Sequence, residues 1–390
     1  MAEPGADGGL RERDAIADDG GARVAGGGER AILRRSDIDT PALLVDVPTL
    51  EGNIARVAET CRRAGVNWRP HVKSHKSPDI ARMLIAAGAS GLTCAKLGEA
   101  EVLAPGVTRD ILISGQIVGP AKIERLLRLS EHADAIVAVD CAGNARELAG
   151  PFRRGGKVLD VVIEVDIGMR RAGVLPGEAV VELANAIADE AGLRLRGVMA
   201  WESHALTFSD PLEKEQVVRR SLARLTESAG LCREAGHAVD IVSCGGTGTF
   251  PYCCEAPGVT EVQVGGGILS DNHYRDHFHV PFPPAITLMA TVISRPTPNR
   301  VVLDAGKKAM SGDAALPTPL GLPDVASVHL AAEHAIVELR GAHEAPRVGD
   351  RVEFVLGYCD TTIHLHENLI AMRNGVVEAV WPVAARGKVK

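Results

Sequence analysis

The chain has 390 residues, 46% of them apolar and 24% charged, which is the balance of a folded globular protein and excludes disorder throughout. Its formal net charge of −7 and its 3% aromatic content argue against a nucleic-acid or anionic-membrane partner, since those need basic surface or stacking rings. No uncharged apolar run approaches the ~18 residues of a membrane span, and the eight cysteines, none in a C-x-x-C pair, read as reduced thiols of a cytoplasmic protein.

The N-terminal segment 1–37 is expected to be a disordered tail, because its first thirty residues carry Gly, Asp, Glu and Arg with no apolar period. Order is expected from Ile38. Residues 41–45 predict a strand, and Pro48 opens a helix with Leu50, Ile54, Val57, Ala58 and Cys61 on one face. The strand segment, 38–47, is expected to pair with a β domain further along the chain. From 48 to 283, short apolar strands alternate with stretches of helical period. Strands are predicted at 66–72, 91–94, 110–114, 135–139, 158–165, 194–201, 239–243 and 260–264. Helices are predicted at 77–87, 97–104, 120–131, 142–149, 177–190 and 212–235. Several of these strands are apolar on both faces, as in a parallel sheet covered by helices. Eight of them predict an α/β chain with a (β/α)8 barrel of the TIM type. An open doubly wound sheet is the alternative, but no G-x-G-x-x-G follows the first strand. After 283 the texture changes to short strands and tight turns, with Asn374-Gly375 a hairpin signal. Residues 284–390 therefore read as a C-terminal antiparallel β domain.

Barrel active sites lie at the C-terminal ends of the strands, so unusual residues there carry the chemistry. The first predicted strand ends in Arg69-Pro-His-Val-Lys-Ser-His-Lys76. A lysine such as Lys73, desolvated at a barrel mouth, becomes a nucleophile for carbonyls. The fifth runs into Gly168-Met-Arg-Arg-Ala-Gly-Val174, where arginine suits a phenolate or a carboxylate. The sixth ends in Trp201-Glu-Ser-His204, an aromatic wall followed by a histidine able to exchange protons. The seventh ends in Ser243-Cys-Gly-Gly-Thr-Gly-Thr249 and the eighth in Gly265-Gly-Gly267. Glycines let backbone N–H groups converge on an anion, which makes Ser243, Thr247, Gly248, Thr249, Gly265 and Gly266 the candidate phosphate ligands. Each feature alone has a plainer reading as a surface lysine, a tight turn or a structural rim histidine. Together they supply an amine for an aldehyde, a cradle for a phosphate, an arginine for a phenolate and a flat wall. One ligand satisfies all four: pyridoxal 5'-phosphate (PLP).

With these motifs the sequence resembles the fold-type III PLP enzymes of the D-threonine aldolase and D-serine dehydratase family, whose barrel is shared with alanine racemase. The resemblance runs from about Asp39 to the C-terminus. Its carriers are Asp39-Thr-Pro-Ala-Leu-Leu-Val-Asp46, Arg69–Lys76, Gly168–Val174, Gly245–Thr249 and Val376-Val-Glu-Ala-Val-Trp-Pro382. It implies that Lys73 holds the cofactor as a Schiff base, Arg171 its phenolic oxygen, and Thr247, Gly248, Thr249, Gly265 and Gly266 its phosphate. Two departures stand out. Trp201 replaces a tyrosine common in the family. Many members also hold a divalent metal in the β domain through His-x-Cys or His-x-Asp, and the matching segment here is Tyr358-Cys359-Asp360. Asp360 is then the best remaining metal candidate, and His364 and His366 are expected on one face of a strand.

The implied activity is a lyase reaction on D-configured β-hydroxy-α-amino acids. Retro-aldol cleavage to glycine and an aldehyde is favoured, because Asp360 matches the aldolase-type His-x-Asp. The alternatives are a D-serine or D-3-hydroxyaspartate type of elimination, a racemase or epimerase, and a non-catalytic PLP carrier. Candidate bases are His204, Lys73, Asp360 and Tyr358. The family resemblance also implies a homodimer, with the β domain of one chain over the barrel mouth of the other.

Overall fold

Apolar runs without a polar face need cover on both sides, and the order of elements supplies it. The computed structural model describes residues 33–390. β1 (Ala42–Asp46) leads directly into α1 (Val47–Ala64), where Asp46 caps the helix by accepting from the Thr49 N–H at 2.9 Å. Parallel strands then alternate with helices: β2 (Asn67–Trp68), α2 (Pro78–Ala86), β3 (Leu92–Cys94), α3 (Leu97–Leu103), β4 (Asp110–Ile113), α4 (Pro120–Leu129), β5 (Asp134–Val139) and α5 (Ala142–Arg154). The second half continues with β6 (Leu159–Glu164), α6 (Glu178–Ala188), β7 (Leu193–Met199), α7 (Pro211–Glu234), β8 (Ile241–Cys244), α8 (Phe250–Glu255) and β9 (Glu261–Val262). The sheet order is β2-β9-β8-β7-β6-β5-β4-β3, and a parallel bridge between His71 and Thr93 joins its two edges. The sheet therefore curls into a TIM-type barrel.

Alternate residues point into the barrel, where Leu112, Ile136, Ala138, Val162, Met199 and Ile241 form one apolar cluster. Their neighbours Ile111, Val137, Val161, Val198 and Val242 pack outward in the main core with the helices. The floor is polar: buried Arg69 pairs with Glu261 at 2.8 Å and with Asp110 at 2.5 Å. The end of α5 differs from the prediction, since the helix passes through Pro151 to Arg154. Gly150-Pro151 reads locally as a stop, but burial of Phe152 holds the extra turn in place.

The second sheet contains β10 (Ile286–Thr297), β11 (Arg300–Leu303), β12 (Thr318–Leu320), β13 (Val325–Leu330), β14 (Ala335–Leu339), β15 (Arg351–Val355), β16 (Asn368–Arg373) and β17 (Val376–Pro382). It is mostly rather than wholly antiparallel. β1 lies in it, antiparallel to β10 and parallel to β16. β12 and β13 leave little trace in the sequence: three residues around Pro319, and a mostly exposed strand, carry too little alternation to read.

Of the expected N-terminal tail, residues 1–32 lie outside the described residues. Residues 33–37 correct the expectation of disorder. The Val377 N–H donates to the Leu33 carbonyl at 2.9 Å, Arg34 bridges Val376, and Arg35–Asp37 form a 3₁₀ turn. Edge strand β17 offers unpaired backbone groups, and this segment takes them. His364 and His366 also depart from expectation. They follow a short helix, α9 (Cys359–Thr362), and sit in and after a 3₁₀ turn rather than on one face of a strand. No helix among the described residues is long and apolar enough to cross a membrane.

Candidate active site

The C-terminal ends of the barrel strands open into a cavity of about 520 Å³. At one end stands the segment after β2. The Lys73 N–H donates to His71 Nδ1 at 3.3 Å. Burial, with Lys73, Lys76 and His75 nearby, pushes the His71 imidazole well below its ordinary range, so it is neutral. Lys76 is anchored by an ion pair to buried Glu99, which also accepts from the Ala95 N–H at 2.7 Å at the start of α3. Held in this way, Lys73 places its Nζ 3.2 Å from Asp360 and 5.1 Å from the centre of the Trp201 ring. Tyr274 donates its hydroxyl to the other Asp360 oxygen at 3.2 Å. Tyr358 lines the cavity beside it, and burial raises both phenols above their usual range, so both stay protonated.

Arg171 comes from the excursion between β6 and α6. That loop closes on itself through Asp166 N–H to Val174 C=O at 2.8 Å and Val174 N–H to Glu164 C=O at 3.0 Å. The Arg171 guanidinium lies 5.3 Å from the Trp201 ring centre, and its Nη2 is 3.4 Å from the nearly buried Glu164 carboxylate. Glu164 also accepts from the Gln116 amide.

The far end is built from backbone. Thr247, Gly248 and Gly266 line the cavity, and their N–H groups meet no acceptor among the described residues. Glycine is required at 265 and 266, where a Cβ would collide with the His71 carbonyl and the Tyr274 hydroxyl. Beneath this loop Glu202 is completely buried. It accepts from the Gly245 N–H at 3.3 Å, the Thr249 hydroxyl and the Cys253 thiol at 3.6 Å. Burial pushes its carboxyl above the ordinary range.

Lys73, Arg171, Trp201, Thr247, Gly248, Gly265, Gly266 and Tyr358 thus share one cavity, with Asp360 joined to it through Lys73. Besides Asp360, three predicted residues do not line it. Ser243 points into the barrel one layer below, donating to Glu261 at 2.8 Å and accepting from Gln263 at 3.0 Å. Thr249 turns away to Glu202 and accepts from the Gly246 N–H at 3.1 Å, so it shapes the loop from behind. His204 faces Ser221 of α7 at 3.1 Å and packs where Gly168 leaves room, bracing the Arg171 loop. The 3₁₀ turn over Ser203–Thr207 swings that ring off the mouth. The edge of Trp201 bearing the indole N–H lies against Gly246. Sequence reading passed over Glu202, Glu164 and Tyr274. A carboxylate ending an apolar strand signals Glu164. Scarcity could have flagged Tyr274, one of three tyrosines in the chain.

The geometry has matches among known proteins. Residues 45–272 match the family model of the alanine racemase N-terminal domain, and residues 285–372 match a putative serine dehydratase domain. D-threonine aldolase of an Arthrobacter species is 34% identical over 353 residues, covering 90% of this chain and 93% of that one. The chain belongs to the fold-type III family of PLP-dependent lyases. Another member, the 3-hydroxy-D-aspartate aldolase of Paracoccus denitrificans, is 34% identical over 91% of this chain and 94% of its own. The crystal structure of D-threonine aldolase from Filomicrobium marinum superposes with a TM-score of 0.88 at 33% identity, covering 92% and 99% of the two chains.

The family cofactor fits the residues present. Lys73 supplies the amine, Arg171 a cation beside the Trp201 ring, and the unpaired N–H groups over the glycine loops an anion nest. A divalent ion at Asp360 does not fit. Next to that carboxylate stand an ammonium and a phenol that donates to it, not ligands. Cys359 Sγ turns to the Ser270 carbonyl at 3.5 Å, and His366 Nε2 lies 2.6 Å from the Ala309 carbonyl. Among the described residues, one cluster brings three ligand-type atoms within 4.8 Å of one another: Glu202, Cys244 and Cys253. It is sealed below the Gly245–Thr249 loop, and its carboxylate is already taken by three donors.

Proposed function

We propose that this chain cleaves D-configured β-hydroxy-α-amino acids by retro-aldol reaction, giving glycine and an aldehyde. The observation that carries the reading is the Lys73–Asp360 pair, 3.2 Å apart, in a cavity whose far end is an anion nest. Lys73 anchors the cofactor's aldehyde carbon. Thr247, Gly248, Gly265 and Gly266 hold its phosphate, and Arg171 its phenolic oxygen. When bound, PLP would supply an electron sink for the pair released at Cα as the Cα–Cβ bond breaks. Asp360 takes the proton of the β-hydroxyl, whose oxygen becomes the aldehyde carbonyl. That proton passes from Asp360 through Lys73, 3.2 Å away and free once the substrate amine has replaced it on the cofactor, to Cα, completing glycine and restoring both groups. The Tyr274 hydroxyl fixes the Asp360 carboxylate, and the Trp201 face shields the site on one side.

Incubating the PLP-loaded protein with D-threonine, D-serine and D-3-hydroxyaspartate tests this. Glycine plus aldehyde is expected. Ammonia plus an oxo acid makes it a dehydratase, inversion at Cα with an intact β-carbon a racemase, and no turnover a carrier. The second sheet domain favours an enzyme over a carrier. The reading includes a homodimer, with molar mass by light scattering as its check. It also includes a cytoplasmic setting, supported by eight free cysteines.

A further inference from the structure

We infer that this chain works without a bound divalent ion, and that Tyr358 is the residue that removes the ion's place. The inference extends the proposed reaction to the question of what polarises the substrate hydroxyl. A hydroxyl is made acidic either by a Lewis acid or by a base with a nearby positive charge. Here the second arrangement is already built. Asp360 has a side chain only 10% exposed, with Lys73 Nζ, an amine available as a charge only while it does not hold the cofactor, at 3.2 Å and the Tyr274 hydroxyl at 3.2 Å. Divalent ions need several oxygen, nitrogen or thiolate donors converging on one point. The Asp271 carboxylate and the His273 imidazole stand nearby, the latter with its Nδ1 unpartnered, but among the described residues no three ligand-type atoms come within 4.8 Å of one another at Asp360.

The reason lies in the chain itself. Tyr358 lines the cavity, and Asp360, two residues on in α9, meets Lys73 and Tyr274 there. The Tyr358 ring is packed by His273 at 4.8 Å and Tyr274 at 5.8 Å between ring centres. A phenol locked in that aromatic cluster presents an O–H. An imidazole at the same place would present a lone pair, and with Asp360 it would make a two-residue site.

The test counts ions on the PLP-loaded chain. After incubation with Mn²⁺ and desalting, wild type is expected to keep fewer than about 0.1 ion per chain. Its aldehyde-forming rate on D-threonine is expected to stay within about twofold after EDTA treatment and after Mn²⁺ addition. Tyr358→His is expected to retain close to one ion per chain and to become chelator-sensitive. Near-stoichiometric Mn²⁺ on wild type, or a loss of about tenfold or more with EDTA that Mn²⁺ restores, overturns the inference. A Tyr358→His chain that keeps its cofactor absorbance but holds no ion overturns the assignment to Tyr358. The ion count is independent of turnover. If wild type cleaves none of the amino acids, the proposed reaction fails while the count still decides this point.

Discussion

The two ends of the cavity are made by different physics. The glycine-loop end, proposed above to hold the phosphate, has almost no formal charge of its own: it offers unpaired backbone N–H groups on loops whose shape is fixed from behind by a buried carboxylate, Glu202. The amine end uses full charges, with Lys73 against Asp360 and Lys76 against Glu99. Backbone cradles bind by position, so a substitution there acts through geometry. Charged groups bind and react directly, so a substitution there removes the reacting atom.

That contrast sets the order of expected effects. Lys73→Ala should abolish covalent attachment of the cofactor, with loss of the visible absorbance of the bound form and a fall in turnover of at least about 10³-fold. Turnover unchanged would show that the amine is elsewhere. Asp360→Asn should lower the cleavage rate on the order of 10²–10⁴-fold while leaving the cofactor dissociation constant nearly unchanged. A loss confined to cofactor binding would move Asp360 from the chemistry to the cradle. Glu202→Ala leaves buried donors of the loop unsatisfied at ~1–3 kcal/mol each, so PLP should bind roughly tenfold or more weakly, with Glu202→Gln between the two. Equal melting shifts for apo and holo protein, without a change in affinity, would make Glu202 structural only.

The smallest effect is on stability. Burial drives the His75 pKa down to about 3, and its Nδ1 accepts from the Ser77 N–H at 3.1 Å. The unfolded chain takes up that proton near pH 6.5, the folded chain only near 3. His75 therefore contributes stability that is complete above pH 6.5 and lost as pH falls toward 3. His75→Gln should flatten the acid limb of a urea-midpoint profile. An unchanged slope relative to wild type would show that the imidazole is solvated.

Legibility in the sequence followed the range of the interaction. Lys73 and the glycine loops could be read because strand ends and Gly-rich turns are local patterns, and the barrel topology brings all strand ends to one rim. Glu202 could not, because its partners Gly245, Thr249 and Cys253 lie on the segment after β8, more than 40 residues on. Tyr274 and Asp360 meet across 86 residues, joining the exit of the barrel to the second sheet. His204 was misplaced for the converse reason. Its position at a strand end is local, but the direction of its ring is set by packing against Gly168 and Ser221.

By itself the sequence determined the alternation of strands and helices, the change of texture near 283, the amine and the anion cradle, because periodicity and turn chemistry act over a few residues. Tertiary structure alone decided which carboxylate faces the amine and which histidine turns away. Those outcomes depend on side-chain direction and burial between distant segments, which no local pattern encodes.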